Sequence, residues 1–133
     1  MERPRILVCG GRDFEDYHLL RQTLDEVCVK RKWLYTPDAY GNYLPDLVII
    51  HGGAKGADDL ADQWALVNWT GLEIYKADWS KYGKAAGGIR NQQMLDEGKP
   101  DLVIAFPTKN SKGTWDMVRR AKKAGVETIV VEN

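Results

Sequence analysis

The chain reads as an α/β protein, a single Rossmann-like three-layer domain over residues 1–133 built on a five-stranded parallel sheet. Three observations predict this. Five short runs are apolar throughout rather than alternating, as strands buried on both faces are. Stretches with helical spacing separate them from end to end, the pattern of a sheet covered by helices on both sides. Several strand ends run directly into glycine-containing turns. Right-handed crossovers then leave few topologies, and the expected strand order is 3-2-1-4-5, counted along the chain.

Arg5–Cys9 (RILVC) is the first, central strand, and Gly10-Gly11-Arg12-Asp13 turns the chain at its carboxyl end. Asp13 is expected to cap the next helix, with Asp16 where a capping box carries Glu or Gln. Tyr17, Leu20, Leu24, Val27 and Cys28 mark that helix's inner face, and it ends near Lys32. From Trp33 to Asp46 (WLYTPDAYGNYLPD) the periodicity vanishes. This connection exceeds the usual length of about 4–6 residues and leaves open a small hairpin, a flap over a site, or a contact surface for another subunit. Leu47–Ile50 is the second strand, and Leu60, Ala61, Trp64 and Ala65 lie on one face of the second helix. Gly71 introduces a third strand over Leu72–Lys76, followed by a loop-like Ala77–Gly88 segment. Ile89–Glu97 reads as a short third helix closed by Gly98 and Pro100. Asp101–Phe106 is the fourth strand, Pro107–Lys112 a polar loop, and Gly113-Thr114 opens a fourth helix that stops at Gly125. Glu127–Val131 completes the sheet.

The 19 basic and 19 acidic residues cancel. General nucleic-acid binding, which needs a surplus of Lys and Arg, is therefore disfavoured. Cys9 and Cys28, the two cysteines, make no disulfide framework and are expected to be buried thiols in a reducing compartment. Met1-Glu2-Arg3-Pro4 leads straight into a strand, so no signal peptide is expected, and nothing approaches the roughly 20 apolar residues of a membrane span. The cytoplasm is the expected location.

The chemistry concentrates in His51-Gly52-Gly53-Ala54-Lys55-Gly56-Ala57-Asp58-Asp59. A strand, a turn with glycines and a helix start suit an anion, because backbone can approach closely and helix N–H groups stand free. Lys55 adds a full charge. Similar residues recur at other strand ends: Gly10, Gly11 and Arg12; Trp79, Tyr82, Gly87, Gly88, Arg90 and Asn91; Pro107, Thr108, Lys112, Gly113 and Thr114. Phosphate would find Arg12, Lys55 and Arg90, and a base or sugar would lie against Trp79 or Tyr82. Each residue also has a plain structural use: a tight turn, an ion-paired helix arginine, loop-packing aromatics, a histidine orienting its turn, a helix cap at Thr114. It is their repetition at consecutive strand ends that favours a ligand site. No Gly-x-Gly-x-x-Gly follows the first strand, Lys55 is not followed by Ser or Thr as in a Walker motif, and no Cys/His set suggests a metal.

Gly10-Gly11-Arg12-Asp13-Phe14, the His51–Asp58 stretch, Asp78-Trp79 with Tyr82-Gly83-Lys84-Ala85-Ala86-Gly87, and Ile89-Arg90-Asn91 together resemble the YpsA-related branch of the SLOG superfamily. The resemblance covers nearly the whole chain and implies a Rossmann-like domain that binds a nucleotide or nucleotide-derived molecule. Relatives include the cytokinin-activating "Lonely guy" phosphoribohydrolases and the single-strand DNA-binding mediator DprA. Arg90-Asn91 is similar to the hydrolases' Arg-Lys pair, with asparagine for lysine. Pro107 and Gly113-Thr114 are similar to their Pro-Gly-Gly-x-Gly-Thr-x-x-Glu motif, but Met117 stands where that motif has its catalytic glutamate. Asp116 is one residue off, some 100° around the helix.

Three functional readings stay open. The first is a sensor or binding domain for a nucleoside monophosphate, ADP-ribose or an NAD derivative, requiring no cofactor, with ligand contacts from Gly10, Gly11, Arg12, His51, Gly52, Gly53, Lys55, Gly56, Asp58, Trp79, Arg90, Asn91, Gly113 and Thr114. The second is a nucleotide-processing hydrolase using Asp58 or Asp116 as its carboxylate. The third is a single-strand nucleic-acid binder. A homodimer is expected, with the 33–46 insertion as a candidate contact.

Overall fold

In the computed structural model, which describes residues 2–35 and 40–132, the apolar runs pair as one parallel sheet. Its strands are β1 (Arg5–Gly10), β4 (Val48–His51), β5 (Gly71–Ile74), β6 (Leu102–Phe106) and β7 (Glu127–Val130), in the order β5-β4-β1-β6-β7. Counted along the chain this is the expected 3-2-1-4-5. Leu7 of β1 pairs with Ile50 on one side and with Val103 on the other, so β1 is central.

Alternate residues of these strands feed two separate cores. Ile6 and Val8 face α1 (Tyr17–Arg31) and α2 (Ala57–Val67), where Leu20, Leu24, Ala61 and Trp64 are fully buried. Leu7 and Cys9 face α4 (Ala86–Gly98) and α5 (Lys112–Lys123), packing with Met94, Met117 and Ala121. The three layers follow from period-2 side-chain alternation in strands that are apolar on both faces. Met117, at the position of the hydrolases' glutamate, is fully buried in the second core.

Some local expectations are corrected. The N-cap of α1 is Asp16, which accepts from Leu19 N–H at 3.0 Å, whereas Asp13 accepts the Thr108 hydroxyl hydrogen and ties the β1 turn to the loop after β6. The segment after β5 is not all loop. Asp78 caps a one-turn helix α3 (Trp79–Tyr82), a 3-10 turn (Gly83–Ala85) follows, and α4 begins at Ala86, three residues early. Gly87 and Gly88 are poor helix formers in isolation. Here they allow close approach, since a Cβ on Gly88 would lie 3.1 Å from the Arg120 guanidinium and one on Gly87 3.5 Å from the Trp79 ring. Gly98 is the last residue of α4, and the left-handed cap is Lys99 at φ 45°. Helix α5 is capped by Ser111, so Thr114 lies in its first turn, not at its cap.

Within the long connection, β2 (Leu34–Tyr35) and β3 (Leu44–Pro45) pair antiparallel, the hairpin among the three alternatives. Residues 36–39 lie outside the described residues. Among the described residues no helix is long and apolar enough to cross a membrane.

Candidate functional site

A cavity of about 810 Å³ opens at the carboxyl edge of the sheet. It lies between the turn after β1, the loop after β6 and the first turns of α4 and α5. This is where the strand order reverses, with β4 and β6 on opposite sides of β1, the usual ligand position in an open α/β sheet. Its charge is lopsided. Among the described residues, Arg12, Arg90, Lys109, Lys112 and Arg119 line it, against Asp58 as the single lining carboxylate. Cys9 and Met94 contribute apolar surface, and Trp79 and Trp115 contribute indole rings.

Of the residues expected to contact a ligand, Gly10, Gly11, Arg12, Asp58, Trp79, Arg90, Asn91, Gly113 and Thr114 share this cavity. His51, Gly52, Gly53, Lys55 and Gly56 do not line it. Tyr82 does not line it either, and Lys81 Nζ lies 5.0 Å from its ring centroid. Lys55 is exposed, so the three cations expected to converge reduce to Arg12 and Arg90.

The His51–Asp58 turn is built around its own groups. Asp58 is buried, and its Oδ2 accepts from Gly52 N–H and Ala54 N–H, each at 3.1 Å. The carboxylate thus occupies the position that an anion would take in this turn. His51 is buried as well; its Nδ1 accepts from Gly53 N–H, so the ring hydrogen sits on Nε2 and is donated to Asp62 at 2.7 Å. This matches the reading of His51 as the residue that orients its turn. The glycines serve packing inside the protein. A Cβ on Gly52 would lie 2.3 Å from Arg90 Nη1. Gly56, at φ 81°, would drive a Cβ to 2.1 Å from the Gly11 carbonyl oxygen, which accepts from Ala57 N–H.

Arg90 reaches across this turn from α4. Its Nη1 donates to the carbonyls of Gly52 at 2.6 Å and Tyr75 at 3.4 Å, and its Nε donates to Asn91 Oδ1. Burial lowers its pKa from the ordinary arginine value; Asp58 opposes this and the nearby Arg12 charge adds to it. Burial also raises the Asp58 pKa, and the two backbone N–H groups and the Arg90 charge offset this only in part. Arg12 is exposed and stands over the Trp79 ring, 5.8 Å from its centroid, within cation–π reach. Burial pushes up the Cys9 thiol too, as expected of an inert thiol.

The opening of α5 forms the opposite part of the lining. Thr114 N–H and Trp115 N–H donate to the Ser111 carbonyl, the Lys112 and Gly113 N–H groups before them have no partner within the helix, and Ser111 makes no side-chain bond to them because its hydroxyl is engaged with Thr108. Asn91 braces this opening through its amide, which donates to the Gly113 carbonyl at 3.1 Å and to Asp116 at 3.0 Å. Asp116 does not line the cavity. Burial alone would raise its pKa, but hydrogen bonds from Asn91 and Arg120 and the charges of Arg120 and Arg119 outweigh it and hold the group low.

The expected site omitted Lys109, Trp115 and Arg119, all of which line the cavity, and Lys112, named at its strand end but not as a ligand contact, lines it too. A signal was present: Lys112, Trp115 and Arg119 are spaced three and four apart, one face of a helix that starts at a glycine-containing turn.

A parallel α/β sheet with a basic cavity at its topological switch point is the architecture of Rossmann-like ligand-binding domains. The family model described as YAcAr, "YspA, cpYpsA-related SLOG family", matches residues 4–82, more than half of the chain, and the chain belongs to that family. It is also 38% identical over 130 residues to the Gene 61 protein of Mycobacterium phage D29, covering 94% of each chain. No solved structure matches it. Membership of a SLOG family suggests nucleotide-related ligand binding or processing.

Proposed function

We propose that this chain binds a nucleotide or nucleotide-derived phosphorylated small molecule, such as a nucleoside monophosphate, ADP-ribose or an NAD derivative, as a sensor or ligand-binding domain with no cofactor required. The observation that carries this reading is the charge imbalance of the cavity, five cations to one carboxylate among its described lining residues, in a chain that is neutral overall. A phosphate is expected to meet the open N–H groups of α5 together with Arg12, Lys112 and Arg119. Trp79 or Trp115 offers a face for the base. The turn after β4 is left with a supporting role, because Asp58 already fills it.

Calorimetry with AMP, ADP-ribose and NAD tests the reading. Saturable binding is expected, and Arg12→Ala should weaken it by roughly 1.5–3 kcal/mol, the worth of a hydrogen bond to a charged group. Arg90→Ala should weaken it as well, but that side chain also holds two backbone carbonyls, so Arg12 is the cleaner probe. No binding below millimolar concentration by any of the three would sink the proposal.

One observation favours a second reading, a nucleotide hydrolase. Asp58 lines the cavity with its pKa raised by burial, the condition of a carboxyl group that protonates a leaving base. Release of free base from AMP, lost in Asp58→Asn, would support it, and no turnover at high protein concentration would remove it. We also propose a cytoplasmic homodimer that uses the exposed Tyr40 and Tyr43 region. Sedimentation showing only monomer across a wide concentration range would refute the dimer.

A further inference from the structure

A second cavity, of about 370 Å³, adjoins the first: Lys109 and Trp115 line both. It lies beyond the loop after β6, against the end of β7, and its remaining lining is Phe14, Pro107, Thr108, Val131 and Glu132. The two differ in chemistry. The larger holds the arginines and the open start of α5, whereas the smaller has one lysine, one glutamate, two aromatic rings and aliphatic surface. The first suits phosphate and the second suits a flat ring with polar edges, since Lys109 and Glu132 offer a donor and an acceptor around apolar walls. Phe14, Thr108 and Val131 reach this second space from three separate strand ends.

From this juxtaposition we propose that the ligand is two-ended: a nucleoside diphosphate whose distal phosphate is esterified to a second ring-bearing group, with that second group seated between Trp115, Phe14 and Val131. The inference rests on the nucleotide reading above and narrows it, since a mononucleotide would leave the smaller cavity empty. Lys109, shared by both spaces, stands where the phosphate bridge passes from one to the other. Trp115, also shared, presents its ring to the second group.

The test compares ADP with NAD, which carries the same ADP unit and adds a ribose and a flat ring. Titration calorimetry of the full chain should show NAD binding at least about tenfold tighter than ADP, the worth of one stacked ring. Val131→Trp, which fills the smaller cavity, should abolish that margin and leave ADP affinity unchanged. Glu132→Trp, at an exposed position near the end of the chain, narrows the same space and should act in the same direction even if the Val131 variant unfolds. Equal affinity of ADP and NAD for the unmodified protein, or a margin that survives in the folded variants, overturns the two-ended ligand while leaving nucleotide binding intact. Failure of both ligands to bind overturns the nucleotide reading and this inference with it.

Discussion

At Asp58, a side chain that stabilises a turn also carries a charge the interior resists. Two backbone N–H groups depend on its carboxylate oxygen, yet burial raises its pKa above 3.8. The two effects can be separated by substitution. Asp58→Ala leaves both N–H groups without their acceptor and should cost about 1–3 kcal/mol. Asp58→Asn keeps an acceptor oxygen and removes the buried charge. Because the folded-state pKa is raised, the stability tied to the protonated form is complete below pH 3.8 and is lost as the pH rises through the folded value. The melting temperature of Asp58→Asn should therefore gain on that of the unmodified protein between acid and neutral pH. A constant difference across that range would mean that Asp58 titrates as it does in the unfolded chain. Gly52 is the partner constraint. Gly52→Ala would press against the Arg90 guanidinium and Asp58, so a stability loss of about 1–3 kcal/mol is expected from chemical denaturation.

Among the elements, the helix starts decide what the loops can do. Asp16 caps α1, so Asp16→Ala should cost about 1 kcal/mol in urea unfolding. Asp13→Ala should spare α1 and instead free the hydroxyl of Thr108 beside the cavity. If the Asp13 variant loses as much stability as the Asp16 variant, the cap is misassigned. This pair also shows what could be read from the chain. Strand existence and order were legible because Ile6-Leu7-Val8, Val48-Ile49-Ile50 and Val103-Ile104 carry no polar residue, and one-sided alternation would have looked different. The exact cap was not, since Asp13 and Asp16 are chemically equal candidates and only the tertiary tie of Asp13 to Thr108 separates them. The early start of α4 was hidden for a similar reason. Two glycines argue locally against a helix, and their use becomes visible only when Arg120 and Trp79 are seen lying against them. The glycines around residue 52 match a ligand-binding turn by pattern, although the atoms that crowd them belong to the protein.

Over the whole molecule, net charge conceals a strong local field. The cations of the cavity come from the β1 turn, α4, the β6 loop and α5, while carboxylates such as Asp25, Asp59 and Asp62 lie on α1 and α2. Folding thus sorts a neutral composition into a positive rim at one edge of the sheet. Screening should expose this: raising NaCl from about 50 to about 300 mM should lower ADP affinity several-fold, because the Debye length shrinks to less than the width of the cavity. Affinity insensitive to salt would argue that the basic side chains do not meet the ligand's charge.

The interlocked glycine turns have a dynamic corollary. Gly56 sits on the Gly11 carbonyl, Ala57 donates to it, and His51 with Asp58 closes the interior, so this wall keeps its shape with or without an occupant. Neither α3 nor the 3-10 turn after it buries a single residue. Whatever stiffening accompanies an arriving nucleotide should therefore fall on residues 79–85, with amide exchange slowing there while the 51–58 turn stays as protected as before.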